Sequence, residues 1–120
     1  MSFDWSQYLH LAQELAEETT DEAKMRSAIS RAYYAAFIKA RNYLQEREGL
    51  TIPTQNSHQY VINQFKDSEE KVREKIGNRL KRLRDHRNQA DYDNTFPDLA
   101  DRTRESLTLG RRIISGLGNL

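Results

Sequence analysis

Residues 19–49 read TTDEAKMRSAISRAYYAAFIKARNYLQEREG, and this stretch predicts one long helix. Thr19 to Glu22 has the pattern of a capping box, which begins a helix, and Gly49 is the residue type that commonly follows a helix end. Between these ends, apolar and small side chains recur every three or four positions. They are Met25, Ile29, Ala32, Tyr33, Ala36, Ala40 and Tyr43, with Phe37 and Leu44 beside this stripe. At about 1.5 Å per residue, the helix would be roughly 40 Å long.

The opposite side of this helix carries Ser27, Arg31, Tyr34 and Ile38. Aromatic and apolar residues are unusual on a helix face that meets only water. We therefore expect a second contact surface here, covered either by another helix of the chain or by a second subunit.

The composition of the whole chain predicts an all-α fold. Its 120 residues are 37% hydrophobic and 31% charged, which fits one domain spanning residues 1–120. Good helix formers dominate, whereas two prolines and five glycines supply few of the turns that a many-stranded sheet needs. Short connections between long helices favour antiparallel neighbours, so we expect an up-and-down four-helix bundle with one additional short helix.

Capping residues and apolar stripes place the remaining helices. The first helix is expected to run from Ser2 or Asp4 to Thr19, and residues 50–56 are expected to form a loop. A short helix should follow and end near Asp67 or Ser68, where a long helix begins. Asp98 should cap the last helix. The expected core residues are Val72, Ile76, Leu80 and Leu83 on the long helix, and Leu99, Thr103, Leu107, Ile113, Ile114 and Leu117 on the last. Gly77 inside the long helix permits close helix packing or a bend.

Residue counts exclude several classes of chemistry. The chain has no cysteine, so it has no disulfide, no thiolate nucleophile and no zinc site built on sulfur. Its three histidines are scattered, and we expect neither a metal nor a cofactor. No apolar run approaches the roughly 20 residues that cross a bilayer, and the first ten residues carry no basic segment. We expect a cytoplasmic protein without a membrane partner.

A net charge of +1 hides a polarised charge distribution. Residues 1–22 contain six acidic residues and no Lys or Arg, whereas residues 71–87 contain eight Lys and Arg and two acidic residues. The long helix after residue 67 is therefore strongly basic. Its charge either binds the phosphates of a nucleic acid or forms a solvated face that acidic segments neutralise, and charge alone does not choose between these alternatives.

Arg87 interrupts the apolar stripe of this basic helix, at a position where the spacing calls for an apolar side chain. Two segments of the chain together resemble the HEPN superfamily of small helical domains. One is SRAYYAAF, residues 30–37, and the other is LRDHRNQADYD, residues 83–93. The second resembles the variant of the family motif in which Arg-Asn is followed by Ala-Asp-Tyr. The resemblance covers most of the chain.

This resemblance implies a helical bundle that dimerises, with an Arg-x(4–6)-His motif from each subunit meeting in a cleft. In the active family members this composite site cleaves RNA without a metal ion, and prokaryotic members often act as toxins beside a nucleotidyltransferase. The implied partners are therefore a second copy of the chain, RNA and a nucleotidyltransferase. The chain departs from the motif because Tyr92 stands at the histidine position. Free tyrosine, with a pKa of about 10, is a poor general base at neutral pH.

The expected site centres on Arg87, whose planar guanidinium suits the oxygens of a phosphate. Asn88 and Asp91 are expected as supporting polar groups, and Tyr92 or His86 as the proton-handling residue of a ribonuclease. Asp91 lies four residues after Arg87, so an ion pair within the helix is the structural alternative. For Tyr92, the alternative is a packing or dimer-contact residue.

Further candidates for nucleic-acid contact are Arg31 and Tyr34 on the second helix, and Arg79, Arg82, Arg84 and Arg87 on the basic helix. Arg31 and Tyr34 could stack on bases, or could serve ion pairing and subunit packing. Arg79 and His86 also fit the loose motif, with six residues between them. His10 and His58 have no companion ligands, and we interpret both as surface or capping residues.

The preferred hypothesis is an RNA-binding HEPN-like dimer, and metal-independent endoribonuclease activity stays open because of Tyr92. The alternative is a non-catalytic dimerisation or protein-interaction module, organised by the Arg-Asn-x-Ala-Asp-Tyr segment. The first hypothesis predicts an open basic cleft and an RNA affinity that falls steeply with salt. The second predicts a buried, paired Arg87.

Overall fold

The structure, a computed structural model, describes residues 2–120; Met1, where the expected domain begins, lies outside them. The described residues form helices and no strand. The helices are α1 (Ser6–Ala16), α2 (Glu22–Arg47), α3 (Ser57–Lys66), α4 (Lys71–Tyr92) and α5 (Leu99–Gly118). The predicted all-α fold, a helical bundle with one additional short helix, is confirmed. Within this range, none of the helices combines the length and the hydrophobicity that a bilayer crossing requires.

The long helix α2 packs against each of the other four helices. Its predicted stripe is buried from Met25 to Ala40, and Tyr43 is half-buried. On the opposite side, Ile38 is buried and Tyr34 is half-buried against α4, whereas Ser27 is exposed. Part of the predicted second contact surface is therefore covered by another helix of the same chain.

The ends of α2 are set by one carboxylate and one glycine. Asp21 is the N-cap, and its carboxylate accepts a hydrogen bond from the Lys24 backbone N–H at 3.1 Å. The predicted capping box is wrong in its first residue, because Asp21 performs this role two residues after Thr19. At the other end, α2 stops at Arg47, and Gly49 takes the left-handed conformation with a φ of 67°.

The helices α1 and α4 are shorter than predicted. The first helix runs from Ser6 to Ala16, and Trp5 occupies its N-cap position. Asp4 nevertheless supports the start of α1, because its carboxylate accepts hydrogen bonds from the Ser6 N–H at 3.0 Å and the Ser6 hydroxyl at 2.7 Å. The long basic helix begins at Lys71, three or four residues later than predicted, since a turn follows α3.

The helix α4 packs against α2, α3 and α5. Three of its four predicted core residues are buried, but Val72, in the first turn, is 49% exposed. A Cβ atom at Gly77 would lie 2.1 Å from the Lys66 backbone nitrogen, so glycine permits the close approach of α3. The predicted stripe of α5 faces the core, and Ile114, which is half-buried, packs against it. Asp98 occupies the N-cap position of α5, but its side chain makes no capping hydrogen bond.

Candidate functional site

The last turns of α4 carry a row of polar residues on the side that faces α2 and α3. Arg84, Arg87 and Asp91 are spaced by three and four residues, so they share one helix face. Each of them contacts a side chain of α2 or α3. We call the group the Arg87 cluster; it comprises Tyr33, Tyr34, His58, Arg84, Arg87, Asn88 and Asp91.

Arg87 is held from three directions by its own chain. Its Nη2 donates a hydrogen bond to the Tyr34 hydroxyl at 2.7 Å, and its Nη1 donates to Asn88 Oδ1 at 2.8 Å. Its Nε lies 3.2 Å from Asp91 Oδ2 in an ion pair. The side chain is 11% exposed. The guanidinium is therefore fixed in one orientation, with little free surface for a ligand.

Tyrosine rings surround the Arg87 guanidinium. Its Cζ lies 5.1 Å from the centre of the Tyr34 ring, 5.4 Å from that of Tyr33 and 5.9 Å from that of Tyr92. Such contacts stabilise a cation that is partly removed from water. Tyr33 is fully buried, whereas Tyr92 is 73% exposed. Tyr92 therefore lies at the solvent edge of the cluster.

Arg84 and Arg87 differ in how their charges are balanced. Asp91 pairs with Arg87 and also accepts a hydrogen bond from the Ser30 hydroxyl at 3.2 Å. Arg84 forms no ion pair within residues 2–120, and its Nη1 donates to Gln59 Oε1 at 3.4 Å. The Nε atoms of Arg84 and Arg87 are both buried without a hydrogen-bond partner, although that of Arg87 lies in the ion pair with Asp91. Arg84 thus retains more unbalanced positive charge than Arg87.

His58, in the first turn of α3, belongs to this cluster, and its interpretation as a surface or capping residue is wrong. Its Nδ1 lies 2.6 Å from the Tyr33 hydroxyl, and its ring stacks on Phe37 with centres 4.0 Å apart and planes at 2°. Burial, followed by the positive charges of Arg84 and Arg87, lowers the pKa of His58 to about 4. The imidazole is therefore neutral at pH 7.

A signal for this placement exists in the sequence. His58 precedes Val61, Ile62 and Phe65 by three, four and seven residues, which puts it on the apolar stripe of α3. All three of those residues are buried. The spacing predicts that His58 faces the bundle, although the aromatic residues of α2 that receive it depend on tertiary contacts.

His86 lies on another side of α4 from the Arg87 cluster, against α5. Its Nδ1 lies 3.3 Å from the Ser106 hydroxyl, and its Nε2 lies 3.4 Å from Glu105 Oε1. Burial lowers the pKa of His86, and the charge of Glu105 opposes this shift. Arg82 also pairs with Glu105, at 2.6 Å, so it shares the His86 side of the helix. The structure does not bring His86 or Arg82 together with Arg87.

Two other predicted nucleic-acid contacts have separate surroundings. Arg31 is half-buried, and its Cζ lies 5.1 Å from the ring centre of Tyr8 on α1. Arg79, two turns before the motif arginine, is half-buried as well. His10 is exposed, as interpreted from the sequence. Neither arginine has a contact with the Arg87 guanidinium.

Two grooves of the surface lie outside this cluster. One, of about 490 Å³, is lined by the N-terminal segment, Lys39 and Tyr43, and another, of about 720 Å³, by Tyr43 and the first turn of α4. Within residues 2–120, no group of three or more histidine and acidic side chains could hold a metal ion. The residues of the cationic and aromatic Arg87 cluster line neither of these two grooves.

Sequence comparisons agree with this architecture. A profile of the HEPN domain family matches residues 6–119, which include all five helices. The chain is also 35% identical over 106 residues to the uncharacterized protein MJ0628 of Methanocaldococcus jannaschii. That alignment covers 75% of this chain and 63% of the relative, which extends beyond the shared region. No solved structure matches the chain. The family profile covers the helices that form the core and the cluster, and the chain belongs to the HEPN domain family.

Proposed function

We propose that this HEPN domain binds RNA as a homodimer and works beside a nucleotidyltransferase partner. In this proposal the Arg87 cluster contacts the RNA backbone. Arg84 binds a phosphate oxygen, and Arg87 organises the aromatic and polar side chains around it. The observation that carries the proposal is the pair of arginines on one face of α4, of which Arg84 has no acidic partner within residues 2–120.

The charge of α4 supports a polyanionic ligand. Residues 71–87 hold eight Lys and Arg and two acidic residues, so a phosphate backbone along the helix would meet net positive charge. The rings of Tyr34 and Tyr92 lie beside the guanidinium of Arg87, where an unpaired base could stack. Single-stranded RNA offers both phosphates and exposed bases, so we propose it rather than a double helix.

A second function is favoured by the state of Arg87 itself. Its three polar contacts and its exposure of 11% are typical of a residue that organises structure. In this alternative the motif is a degenerate one that shapes a dimerisation or protein-interaction module without RNA. The two functions differ in what the loss of Arg84 would do, since this residue contributes little to internal bonding.

RNA binding is tested by fluorescence anisotropy with a short fluorescein-labelled oligouridylate, at about 50 to 200 mM KCl. We expect Arg84→Ala to weaken binding about tenfold and to reduce the slope of log affinity against log salt by about 0.7. Arg111→Ala on α5 is the control, because it also removes one positive charge, from an exposed residue outside the cluster. Equal losses in both variants would contradict a specific site, and no binding by the wild type would overturn the proposal.

Ribonuclease activity needs its own experiment. The wild type and Arg87→Ala are incubated with a labelled RNA pool in excess EDTA, after sedimentation velocity has established that both are folded and equally oligomeric. Cleavage by the wild type that is lost in Arg87→Ala would extend the proposal to a metal-independent endoribonuclease. Absence of cleavage at high protein concentration would restrict the proposal to RNA binding.

A further inference from the structure

We propose that His58 is a phosphate-binding residue of the Arg87 cluster and that it acts as a neutral hydrogen-bond donor through its Nε2–H. The inference rests on the proposed RNA binding and adds to it a residue outside the family motif. It concerns α3, which contributes no residue to the Arg-Asn-x-Ala-Asp-Tyr segment.

The ring of His58 is held in one position by two contacts. It lies parallel to the Phe37 ring at 4.0 Å between centres, and its Nδ1 is 2.6 Å from the Tyr33 hydroxyl. Tyr33 is fully buried, and Phe37 is 4% exposed. Both contacts therefore come from the rigid interior of the bundle, and the imidazole cannot rotate without breaking them.

The hydrogen bond with Tyr33 determines which nitrogen of His58 carries the proton. Burial raises the pKa of Tyr33, so its hydroxyl keeps its proton. The sole acceptor for that proton within residues 2–120 is His58 Nδ1, and a buried hydroxyl that donates to nothing is costly. Tyr33 therefore donates to Nδ1, and a neutral imidazole that accepts at Nδ1 has its proton on Nε2.

The Nε2–H has no hydrogen-bond partner within residues 2–120. Within residues 2–120 the ring makes one hydrogen bond, the one with Tyr33. Nε2 is therefore unpaired there, and it is not buried but reaches solvent. His58 as a whole is half-buried. The ring therefore presents one oriented N–H to the surface, beside Arg84 and Arg87.

The charges around His58 explain why a neutral donor suits this place. The titratable groups that face it are Arg84 and Arg87 of α4 and Tyr33 and Tyr34 of α2. Two guanidinium groups oppose a third positive charge, and with burial they keep the pKa of His58 near 4. A neutral imidazole adds a directed hydrogen bond for a phosphate oxygen without adding to this repulsion.

The first test measures affinity for the fluorescein-labelled oligouridylate at pH 7. Because His58→Phe alone would leave the Tyr33 hydroxyl without an acceptor, the variant is Tyr33→Phe/His58→Phe, which keeps the ring on Phe37. We expect it to bind about tenfold more weakly than the wild type. His58→Gln, whose amide can accept from Tyr33 and donate outward, should retain most of the affinity that the double variant loses. The control His10→Gln on α1 should change affinity less than twofold.

The outcomes separate the inference from the proposal on which it rests. If Arg84→Ala weakens binding but the double variant binds within twofold of the wild type, the role of His58 is wrong and RNA binding stands. If the wild type binds no RNA, both fail. Because His58 stays neutral, affinity should not tighten between about pH 8 and 6; tightening that His58→Gln abolishes would contradict a neutral donor.

A second measurement needs no variant and therefore does not depend on variant folding. Nitrogen-15 spectra of histidine-labelled wild type distinguish the two neutral tautomers at pH 7. We expect His58 to carry its proton on Nε2 and its Nε2 signal to shift on addition of the oligouridylate. A proton on Nδ1, or an unchanged Nε2 signal in a saturated complex, would overturn the inference.

Discussion

His86 is buried and His58 is half-buried, and burial lowers the pKa of each. The charges beside them differ, because His58 faces two arginines, whereas His86 has both acidic and basic neighbours. Arg84 and Arg87 lower the pKa of His58 further, to about 4, whereas Glu105 opposes the shift at His86. The first histidine is neutral because it is partly buried beside two cations, and the second sits next to an anion that favours its protonated form.

The two histidines differ more in their hydrogen bonds than in the charges around them. His86 has a polar side chain near each nitrogen, Ser106 near Nδ1 and Glu105 near Nε2, and it joins α4 to α5. His58 uses Nδ1 for Tyr33, and its Nε2 has no partner in the part of the chain that the structure describes. A residue whose capacity is saturated by its own chain stabilises the fold. A residue that is held rigidly and keeps one oriented donor is available to a ligand.

The largest effect on stability is expected from removal of the Phe37 ring, on which the His58 ring stacks. Phe37→Ala deletes a nearly buried ring and its stack with His58, and should cost about 3–5 kcal/mol of unfolding free energy in urea denaturation. The corresponding change beside His86 is Ser106→Ala, which removes one buried hydroxyl and should cost about 1 kcal/mol. Similar losses of unfolding free energy in Phe37→Ala and Ser106→Ala would contradict the close packing of the His58 ring on Phe37.

The second largest effect is expected in the pH dependence of stability, to which the two histidines should contribute differently. The pKa of His58 is about 4 in the folded chain and 6.5 in the unfolded chain, so the unfolded state takes up the proton first as pH falls. The stability that depends on a neutral His58 is therefore present above pH 6.5 and is lost as pH falls toward 4. Allowing for its partial exposure to solvent, we expect a loss of about 1–2 kcal/mol.

Urea denaturation at pH 7 and pH 5 measures this loss. His58→Gln should reduce the pH dependence of the wild type clearly, and His86→Gln should reduce it less, because Glu105 favours the proton on His86. Identical pH profiles for the wild type and His58→Gln would show that His58 is not withdrawn from solvent as the structure has it.

The helices and the motif end of the site were predictable, because both depend on local spacing. The apolar stripe of α2 and the three- and four-residue intervals of α4 determine which side chains share a face, so the Arg87–Asp91 pair follows from sequence. The same geometry predicts that His86 points away from Arg87. The place of His58 depends on Tyr33 and Phe37, which are more than twenty residues away in the chain. Such a contact leaves no local pattern beyond the position of His58 on an apolar stripe.

Glu105→Gln sharpens the comparison on the side of His86, with an expected cost of about 0.5–1 kcal/mol at pH 7. Burial alone would raise the pKa of Glu105, but the Arg82 hydrogen bond and the neighbouring positive charges outweigh it and lower the pKa. The stabilisation is therefore present above the ordinary carboxyl pKa and is lost in acid. Loss of this carboxylate should lower the pKa of His86 and leave that of His58 unchanged, as histidine NMR titration would show. A shift at His58 would mean that the two sites are coupled.

The smallest effect is expected at Tyr92, which stands where the family motif has its histidine. Its side chain is 73% exposed, and its ring touches the cluster at the outer edge, 5.9 Å from Arg87 Cζ. Tyr92→Phe keeps the ring and should change stability by less than about 0.5 kcal/mol and RNA affinity by less than about twofold. Tyr34→Phe is the matched variant, and its effect should be larger, because it removes the hydroxyl that accepts from Arg87 at 2.7 Å. If Tyr92→Phe abolished cleavage in EDTA while Tyr34→Phe left it intact, the proton-handling role that the family resemblance suggests for Tyr92 would be supported.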